Sequence, residues 1–362
     1  MKRSKITEAA ANLFPGYFAL VMATGIISIA AFQLNMKPIA WALLVINVVA
    51  YLVLWFLLLV RLVRFFPRVK ADITDHARGP GFFTIVAGTA VLGSQLVIIL
   101  GEYRAAGVLW VIALLLWILI MYTFLAAVTV QEEKPPLETG ISGTWLLATV
   151  ATQSVSVLGT LLADHFAAYR AQLLFFTLCM FLLGCMLYLL LITLIFYRFT
   201  FVKLTTVTLT PPYWINMGAV AITTLAGARL IIAAPDWELL SGMLPFLKGF
   251  TLFFWAAGTW WIPLLIILGV WRHMRKHFPL VYDPLYWGMV FPLGMYTVCT
   301  LQLSKAIAFD SLMIIPRYFV FVAMLAWLIV FAGCLQSLFR TRRARVVTVD
   351  REISMLNQRK EL

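Results

Sequence analysis

The chain has 362 residues, of which 63% are hydrophobic and only 12% are charged, and its formal net charge at pH 7 is +13. Water-soluble domains contain about 45–50% apolar and about 25% charged residues, so this composition excludes an ordinary soluble enzyme or binding domain. It predicts instead an all-α integral membrane protein, because its apolar runs are long enough to cross a bilayer as helices.

Apolar runs of the required length, about 20 residues, follow one another along nearly the whole chain. The first follows the basic start MKRSK, which resembles a signal peptide, but the run is long and has no convincing cleavage site, so we interpret it as a span. The chain then divides into a cytoplasmic N-terminus (1–11), a ten-helix membrane domain (12–338) and a basic cytoplasmic tail (339–362). The ten predicted spans are residues 15–33, 39–60, 82–101, 107–128, 143–162, 171–196, 212–233, 249–270, 286–305 and 315–338.

The positive charge follows the membrane topology and is therefore no sign of nucleic-acid binding. If the N-terminus is cytoplasmic and the spans alternate, 21 of the 28 Lys and Arg residues lie on the cytoplasmic side and six on the outer side. This asymmetry obeys the positive-inside rule and predicts a multi-pass protein of the plasma membrane, or of the inner membrane in a bacterium, with both termini cytoplasmic. The basic tail is interpreted as a solvated anchor or as a contact with anionic lipid.

The odd-numbered spans open alike, with Pro or Gly followed by one or two aromatic residues. Proline is tolerated in the first helical turn, and aromatic side chains favour the membrane interface. A recurring opener predicts five helical hairpins in parallel arrangement. The openers are Pro15-Gly16-Tyr17-Phe18, Pro80-Gly81-Phe82-Phe83, Ser142-Gly143-Thr144-Trp145, Pro212-Tyr213-Trp214 and Pro284-Leu285-Tyr286-Trp287, of which the third lacks proline.

Small residues are concentrated in the odd-numbered spans. Gly, Ala, Ser and Thr make up 38 of 90 residues in five 18-residue windows of the odd spans, against 17 of 90 in the even spans. Small residues let helices approach closely or leave a pathway open, whereas bulky apolar residues suit lipid. We therefore predict the five odd helices inside, around a central pore, and the five even helices outside, facing lipid or other subunits. A tightly packed bundle without a pore would give the same contrast.

The ninth span, residues 286–305, has a proline inside it, with a large aromatic residue directly before the proline. Pro292 has no N–H and clashes with the carbonyl four residues earlier, so it kinks the helix. A kinked helix in lipid belongs inside a bundle or beside water, where the freed carbonyl finds a partner. We interpret this helix as pore-lining, with Phe291 pushed toward the pathway. The alternative is a buried kink against which Phe291 simply packs.

The charges near the spans lean positive. All 15 Asp and Glu residues lie outside the spans or at their ends, and Glu102 is the one within reach of the interior. Arg229 lies within a span and Lys305 at the end of one. A buried Arg is costly in a membrane and usually functional, unless its side chain reaches the interface. We predict that Arg229 and Lys305 attract anions to an outer vestibule.

The remaining polar residues of the odd spans are neutral. Hydroxyl and amide groups replace part of the hydration of an anion without trapping it, which suits conduction. The alternative is that each of them hydrogen-bonds one helix to another. The predicted lining residues are Thr24, Ser28, Thr89, Gln95, Thr152, Thr224, Thr297 and Gln302, together with Ser94, Thr149 and Gln153.

No catalytic, metal or cofactor site is predicted. The four cysteines all lie in spans without a C-x-x-C pair and are interpreted as free thiols. His273 and His277 are four residues apart, but they have no third ligand and sit among Arg and Lys. The sequence contains no phosphate-binding loop, dinucleotide fingerprint or nucleophile–base set, which disfavours an enzyme.

Four sequence features resemble one family. They are PGYF at 15–18, GPGFF at 79–83, YWGMVFPLG at 286–294 and TLQLSKA at 300–306. Together they make residues 12–338 similar to the tellurite-resistance/dicarboxylate transporter family, which includes bacterial TehA, fungal malate and sulfite transporters and the plant slow anion channels of guard cells. The Trp…Phe-Pro helix is the most specific of the four features, and the long soluble tails of the plant members are missing.

This resemblance implies a homotrimer in which every subunit has its own pore, lined by five inner helices and surrounded by five outer ones. It also implies that a phenylalanine of the ninth span occludes the pore. Phe291 occupies the matching Phe-Pro position, so the resemblance assigns the gate to Phe291. It assigns no role to Arg229 or Lys305.

The sequence thus predicts an anion channel, or a channel-like transporter, for small anions such as chloride, nitrate, dicarboxylates or the oxyanions sulfite and tellurite. One alternative is a proton-linked carrier for C4-dicarboxylates such as malate, or an exporter of sulfite or tellurite. Proton-coupled carriers usually hold a carboxylate or histidine within the membrane, and none is found deep in these spans. A second alternative is a membrane enzyme, or a scaffold that only binds a partner.

Overall fold

The computed structural model describes residues 5–358, with side chains over 6–235 and 237–337, and this part of the chain is helical without a strand. The all-α membrane architecture predicted from composition is confirmed. The helices are α1 (Lys5–Ala11), α2 (Ala19–Gln33), α3 (Lys37–Arg64), α4 (Phe66–Ile73), α5 (Phe83–Gln95), α6 (Tyr103–Val130), α7 (Leu137–Gly140), α8 (Leu147–Ala163), α9 (Arg170–Phe201), α10 (Ile215–Ala233), α11 (Glu238–Gly242), α12 (Leu244–Val270), α13 (Trp287–Ile307) and α14 (Ile314–Gln358).

Nine helical segments of the described chain are long and apolar enough to cross a membrane, and they match nine of the ten predicted spans. The predicted span at 286–305 corresponds to α13, a 21-residue helix that is not among the nine. Proline, two glycines and several polar residues lower its hydropathy. Nearly all its residues between Trp287 and Ser304 are nevertheless buried against other helices, so α13 needs no lipid-compatible surface of its own. A tenth membrane crossing stays a prediction.

Five helices form a closed ring. α2 packs on α5, α5 on α8, α8 on α10, α10 on α13, and α13 returns to α2. In the most apolar windows of the first four, 83–94% of the residues are buried, against 22–39% in the long helices that follow them. The small residues counted in the sequence are thus in the ring, where they allow close approach of the backbones.

Each ring helix packs on the long helix that follows it in the chain. The pairs are α2 with α3, α5 with α6, α8 with α9, α10 with α12, and α13 with α14. The far sides of these outer helices are covered with exposed apolar side chains, such as Leu52, Leu119 and Ile267, as lipid requires. The arrangement of these five pairs as the hairpins of a ten-helix bundle around one axis stays a prediction.

The recurring opener folds into a short 3₁₀ turn before every ring helix. The turns are Pro15–Phe18, Gly79–Phe82, Gly143–Leu146, Pro211–Trp214 and Pro284–Tyr286. Each turn contacts the next, and the fifth contacts the first, so the turns form a ring of their own. All five ring helices therefore begin at the same end, called the turn face below, and run parallel.

Two glycines allow the turns to approach this closely. A β-carbon at Gly81 would lie 2.9 Å from the backbone nitrogen of Gly16, and one at Gly143 would overlap the carbonyl oxygen of Pro212. The third turn lacks the proline of the others. There the Ser142 side chain accepts a hydrogen bond from the backbone N–H of Thr144, so this N–H is capped.

Candidate functional site

The ring axis leads into an open space of about 530 Å³ at the end opposite the turns, called the vestibule. All five ring helices or the residues directly after them contribute to its wall. Its polar side chains are Gln33, Thr160, Asp164, Arg229, Gln302 and Lys305. The predicted outer vestibule therefore contains both cations that the sequence suggested, and Gln302 as well.

A small closed space, the axial cavity, lies deeper in the ring. Its volume is about 20 Å³, which is room for about one water molecule. Every ring helix supplies part of its apolar wall, and the polar groups among its lining residues are Ser94, Ser154 and Arg229. Arg229 also lines the vestibule and thus marks the junction of the two spaces.

A second small space of about 20 Å³, the turn cavity, lies at the turn face. It is bounded by residues of the five turns or their ring helices, including Gly16, Gly81, Thr144, Pro212 and Gly288. Phe14, just before the first turn, also lines it, and the Arg78 guanidinium lies 5.7 Å from the centre of the Phe14 ring. The three spaces follow one another along the ring axis.

Phe291 lies on α13 between the two small cavities. Gly288 lines the turn cavity, and Met295 and Val298 line the axial cavity. Spacings of three or four residues place these positions and Phe291 on one side of an α-helix. The Phe291 side chain is only 1% exposed, and its position on α13 falls between the residues that border the turn cavity and those that border the axial cavity.

Pro292 lies inside α13 at this level, and the helix is continuous across it. Its ring packs on α10, where a β-carbon at Gly218 would lie 2.6 Å from Pro292 Cγ. Pro292 has no N–H to donate to the carbonyl of Gly288, four residues earlier, and Gly288 borders the turn cavity. A backbone carbonyl without its helical partner is thus placed next to a space that can hold a water molecule.

The vestibule carries uncompensated positive charge. Asp164 binds Arg170, with Arg170 Nη2 2.8 Å from Asp164 Oδ1. Lys305 is exposed near the end of α13 and has no ion pair among the described residues. The Nε of Arg229 is buried and has no hydrogen-bond partner in the described part of the chain. Both predicted cations therefore remain available to a mobile anion.

Most of the predicted polar lining residues instead face the outer helices. The three hydroxyl contacts are Trp327 Nε1 to Thr24 Oγ1 at 2.9 Å, Tyr51 Oη with Thr89 Oγ1 at 3.1 Å, and Trp117 Nε1 to Thr152 Oγ1 at 2.8 Å. Ser28 Oγ donates to the carbonyl of Ala40, and Gln95 Oε1 accepts from Asn47 Nδ2, both at 2.7 Å. In each of these bonds the partner is an outer helix, which is the helix-to-helix alternative.

The other predicted lining residues are divided. Thr224 and Thr297 donate to carbonyls of their own helices and border neither small cavity. Gln302 lines the vestibule and donates to Gln33 Oε1 at 3.0 Å. Ser94 lines the axial cavity, whereas Gln153 donates to the carbonyl of Phe181 on α9.

Sequence reasoning did not single out Ser154, Asp164, Tyr103 or Phe14 as lining residues. The ring helices are apolar on all sides, so hydrophobic periodicity does not reveal which side faces the axis. Ser154 lies seven residues, or about two helical turns, after Leu147, so the two residues share one side of α8. Leu147 borders the turn cavity and Ser154 borders the axial cavity. Within the described residues, no group of three or more His, Cys, Asp or Glu side chains is placed to hold a metal ion, and the four cysteines are unpaired.

Comparison with known proteins identifies relatives over most of the chain. The sulfite efflux pump SSU1 of Trichophyton rubrum is 25% identical over 363 residues, which cover 92% of this chain and 94% of that protein. An uncharacterized transporter of Methanocaldococcus jannaschii is 24% identical over 308 residues, 83% of this chain and 86% of that protein. An uncharacterized membrane protein of Mycobacterium tuberculosis is 40% identical over 135 residues, 37% of this chain and 67% of its own.

The sequence model of the SLAC1 family, described as voltage-dependent anion channel, matches residues 12–335. The family and its named relatives are channels or transporters, not enzymes. The resemblance carried by the Phe-Pro helix and the turn motifs is confirmed by this match, and so is the assignment to anion transport in general. Because the match extends from residue 12 to residue 335, the chain belongs to the SLAC1 family.

Proposed function

We propose that this anion channel or transporter passes small anions along the axis of its helix ring, and that Phe291 is the plug. The proposal is supported by the spacing along α13, because Phe291 lies three residues after Gly288, which borders the turn cavity, and four before Met295, which borders the axial cavity. A buried aromatic side chain there excludes water and presents a hydrophobic barrier to an anion. Rotation of that side chain would join the two cavities.

The lining of the axial cavity suits conduction better than storage. Its wall is apolar apart from Ser94, Ser154 and Arg229, and neither small cavity is bordered by a described Asp or Glu side chain. An ion that binds strongly leaves slowly, so weakly polar walls favour rapid passage once the plug moves. The same walls offer a cation no carboxylate.

Positive potential is present at both ends of the proposed path. The five ring helices begin together at the turn face, and each helix N-terminus carries the equivalent of about half a positive charge. At the other end the helix C-termini carry the opposite partial charge, and Arg229 and Lys305 offset it. Anions are therefore favoured over cations from either side.

The assembly and the location are proposed from the sequence predictions. We propose a homotrimer in the plasma membrane, with ten crossings per subunit, a separate path in each subunit and the turn face toward the cytoplasm. The basic residues of the described segments at the turn face, Arg61, Arg78, Arg198 and Arg272 among them, support that orientation. The exposed apolar sides of the outer helices are available to lipid and to neighbouring subunits.

A carrier is the second candidate function. The relatives named as sulfite efflux pumps match 92% of the chain, which supports a carrier. A proton-linked carrier also needs a titrating group near its site. Arg229 is the sole ionisable side chain among the residues described as lining the axial cavity, which favours a channel.

Purified protein in planar bilayers tests the proposal, with chloride, nitrate and malate in turn. We expect Phe291→Ala to give larger anion-selective currents than the wild type. Phe181→Ala is the matched control, because Phe181 is equally buried but lies on the outer helix α9. Equal currents from folded wild type and Phe291→Ala would overturn the plug. Silence of all three proteins, with pH-dependent uptake of labelled sulfite or malate into vesicles, would favour the carrier.

A further inference from the structure

Arg229 occupies the point where the open vestibule meets the closed axial cavity. We infer that Arg229 binds the permeating anion directly with a two-donor edge of its guanidinium group, and that it selects singly charged oxyanions over halides. The inference rests on the proposed anion path, because it names the ligand of that path outside the plug. The sequence predicted only a general attraction of anions to this vestibule.

The guanidinium edge is free. Arg229 Nε is buried without a hydrogen-bond partner in the described part of the chain, and a buried donor left unsatisfied is unfavourable. Such a donor in a native structure calls for a ligand or a water molecule. The vestibule beside it is open and large enough for a hydrated anion.

The charge of Arg229 has no ion pair among the described residues. Asp164 of the vestibule wall attracts it from a greater distance, but the Asp164 carboxylate is bound by Arg170 and its side chain is 71% exposed to solvent. Solvent screening weakens that attraction. Because Lys305 also lies at the wall, the vestibule keeps a net positive charge, which suits a singly charged anion.

Guanidinium geometry selects the shape of that ligand. Its planar fork of N–H donors makes two parallel bonds to two oxygens of one anion, as with carboxylate. A spherical halide has no second acceptor atom and receives no such pair. Nitrate, hydrogensulfite and small monocarboxylates have the required two oxygens, so they form the ligand class.

The wall below Arg229 offers nothing comparable. Ser94 Oγ donates to the carbonyl of Ala90 at 3.0 Å, and Ser154 Oγ donates to the carbonyl of Ala151 at 2.7 Å. Their hydroxyl hydrogens are thus engaged with the backbone. For an oxyanion that enters from the vestibule, Arg229 is therefore the last strong hydrogen-bond donor before Phe291. The anion binds there, on the vestibule side of Phe291.

Selectivity in the Phe291→Ala background tests the inference by current. Nitrate and bromide have similar hydration energies, so the cost of dehydration has little effect on their permeability ratio. The ratio therefore measures how much the paired N–H donors of Arg229 favour an oxyanion. Arg229→Lys keeps the positive charge and loses the fork, and we expect the nitrate/bromide ratio to fall about tenfold or more, as for loss of one charge-assisted hydrogen bond. Arg317→Lys, the same exchange at an exposed site of α14, should leave the ratio unchanged. Normal currents with an unchanged ratio in Arg229→Lys would overturn the inference.

A binding measurement decides the matter even if no variant conducts, since it needs no flux. A ligand that binds the folded protein raises its melting temperature. Sodium nitrate should raise the Tm of the purified wild type more than sodium bromide does, and Arg229→Lys should remove that difference while Arg317→Lys retains it. Nitrate stabilisation that persists in Arg229→Lys would contradict the site. Absence of current alone would count against the path and not against the site.

Discussion

The backbone of Gly218 on α10 lies against the ring of Pro292 on α13, so close that a β-carbon at position 218 would be 2.6 Å from Pro292 Cγ. This contact connects two neighbouring ring helices at the level of Phe291. Pro292 is therefore held against a partner helix at the point where α13 lacks one backbone N–H. The position of Phe291, the proposed plug, therefore depends on the glycine at position 218.

Gly218→Ala should destabilise the protein, because the added methyl group overlaps Pro292 and neither backbone can withdraw freely. We expect a loss of about 1–3 kcal/mol, as for other overpacked sites, visible as a lower Tm of the purified protein. Gly249→Ala is the matched control, since a β-carbon at Gly249 meets nothing within 4 Å. A Tm of Gly218→Ala equal to that of Gly249→Ala would refute the close contact.

Thr152→Val separates two interpretations of the polar residues in the ring. The Thr152 hydroxyl accepts from Trp117 Nε1, so its loss should lower stability by about 1 kcal/mol and leave anion selectivity and current unchanged. Thr193→Val removes only a bond within α9, to the carbonyl of Leu189, and serves as the control. A changed conductance with an unchanged Tm would instead support the prediction that Thr152 lines the anion path.

Asp72 joins two arginines at the turn face, and its removal should be severe. Asp72 Oδ2 lies 2.6 Å from Arg61 Nη2, and Asp72 Oδ1 lies 2.6 Å from Arg78 Nε. The Arg61 side chain is only 3% exposed, so Asp72→Asn leaves a buried charge without its partner and should cost about 3 kcal/mol.

The exposed pair at the opposite face is the control for that variant. Asp164→Asn removes the carboxylate that binds Arg170. The Asp164 side chain is 71% exposed, so solvent screening limits the loss of folding stability to less than about 1 kcal/mol. Thermal unfolding of both variants gives the comparison. Equal shifts in Tm would show that the Arg61–Asp72 pair is not held in a low-dielectric site.

Lys305→Glu should reduce anion current without changing which anion is preferred, because Lys305 acts by long-range attraction at the vestibule. The reduction should be largest at low salt and should fade as the Debye length shrinks to about 3 Å at 1 M salt. Lys37→Glu reverses a charge on the neighbouring outer helix, outside the vestibule wall, and should have a smaller effect. A reduction that is independent of ionic strength would point to a direct binding role.

Several parts of the fold could be predicted because the sequence encodes them locally. Proline and glycine set the backbone of the turns, so the openers identified the starts of all five ring helices. The number of small residues separated ring helices from outer helices, because close backbone approach excludes large side chains. The helix at 286–305 was identified by its Phe-Pro motif rather than by hydropathy, which is low because neighbouring helices shield it from lipid.

The site was predicted less completely. Arg229, Lys305 and Gln302 line the vestibule, as expected for charged and amide side chains near the ends of spans, which favour water over lipid. Thr24, Thr89 and Thr152 face outer helices, where their hydroxyl groups hydrogen-bond with Trp or Tyr side chains. A helix that is apolar on every side gives no periodic signal for the direction of its hydroxyl groups, so their partners became apparent only from the packing.

The most direct test of the central claim is single-channel conductance in a size series at position 291. The series Phe291→Leu, Phe291→Val and Phe291→Ala removes volume between the two small cavities in steps, and Phe181→Ala controls for general loosening of the bundle. If Phe291 is the plug, anion conductance rises as the side chain shrinks, in the order Phe, Leu, Val, Ala, while Phe181→Ala resembles the wild type. Conductance that is independent of the residue at 291, in protein that remains folded, would contradict a path along the ring axis closed by this side chain.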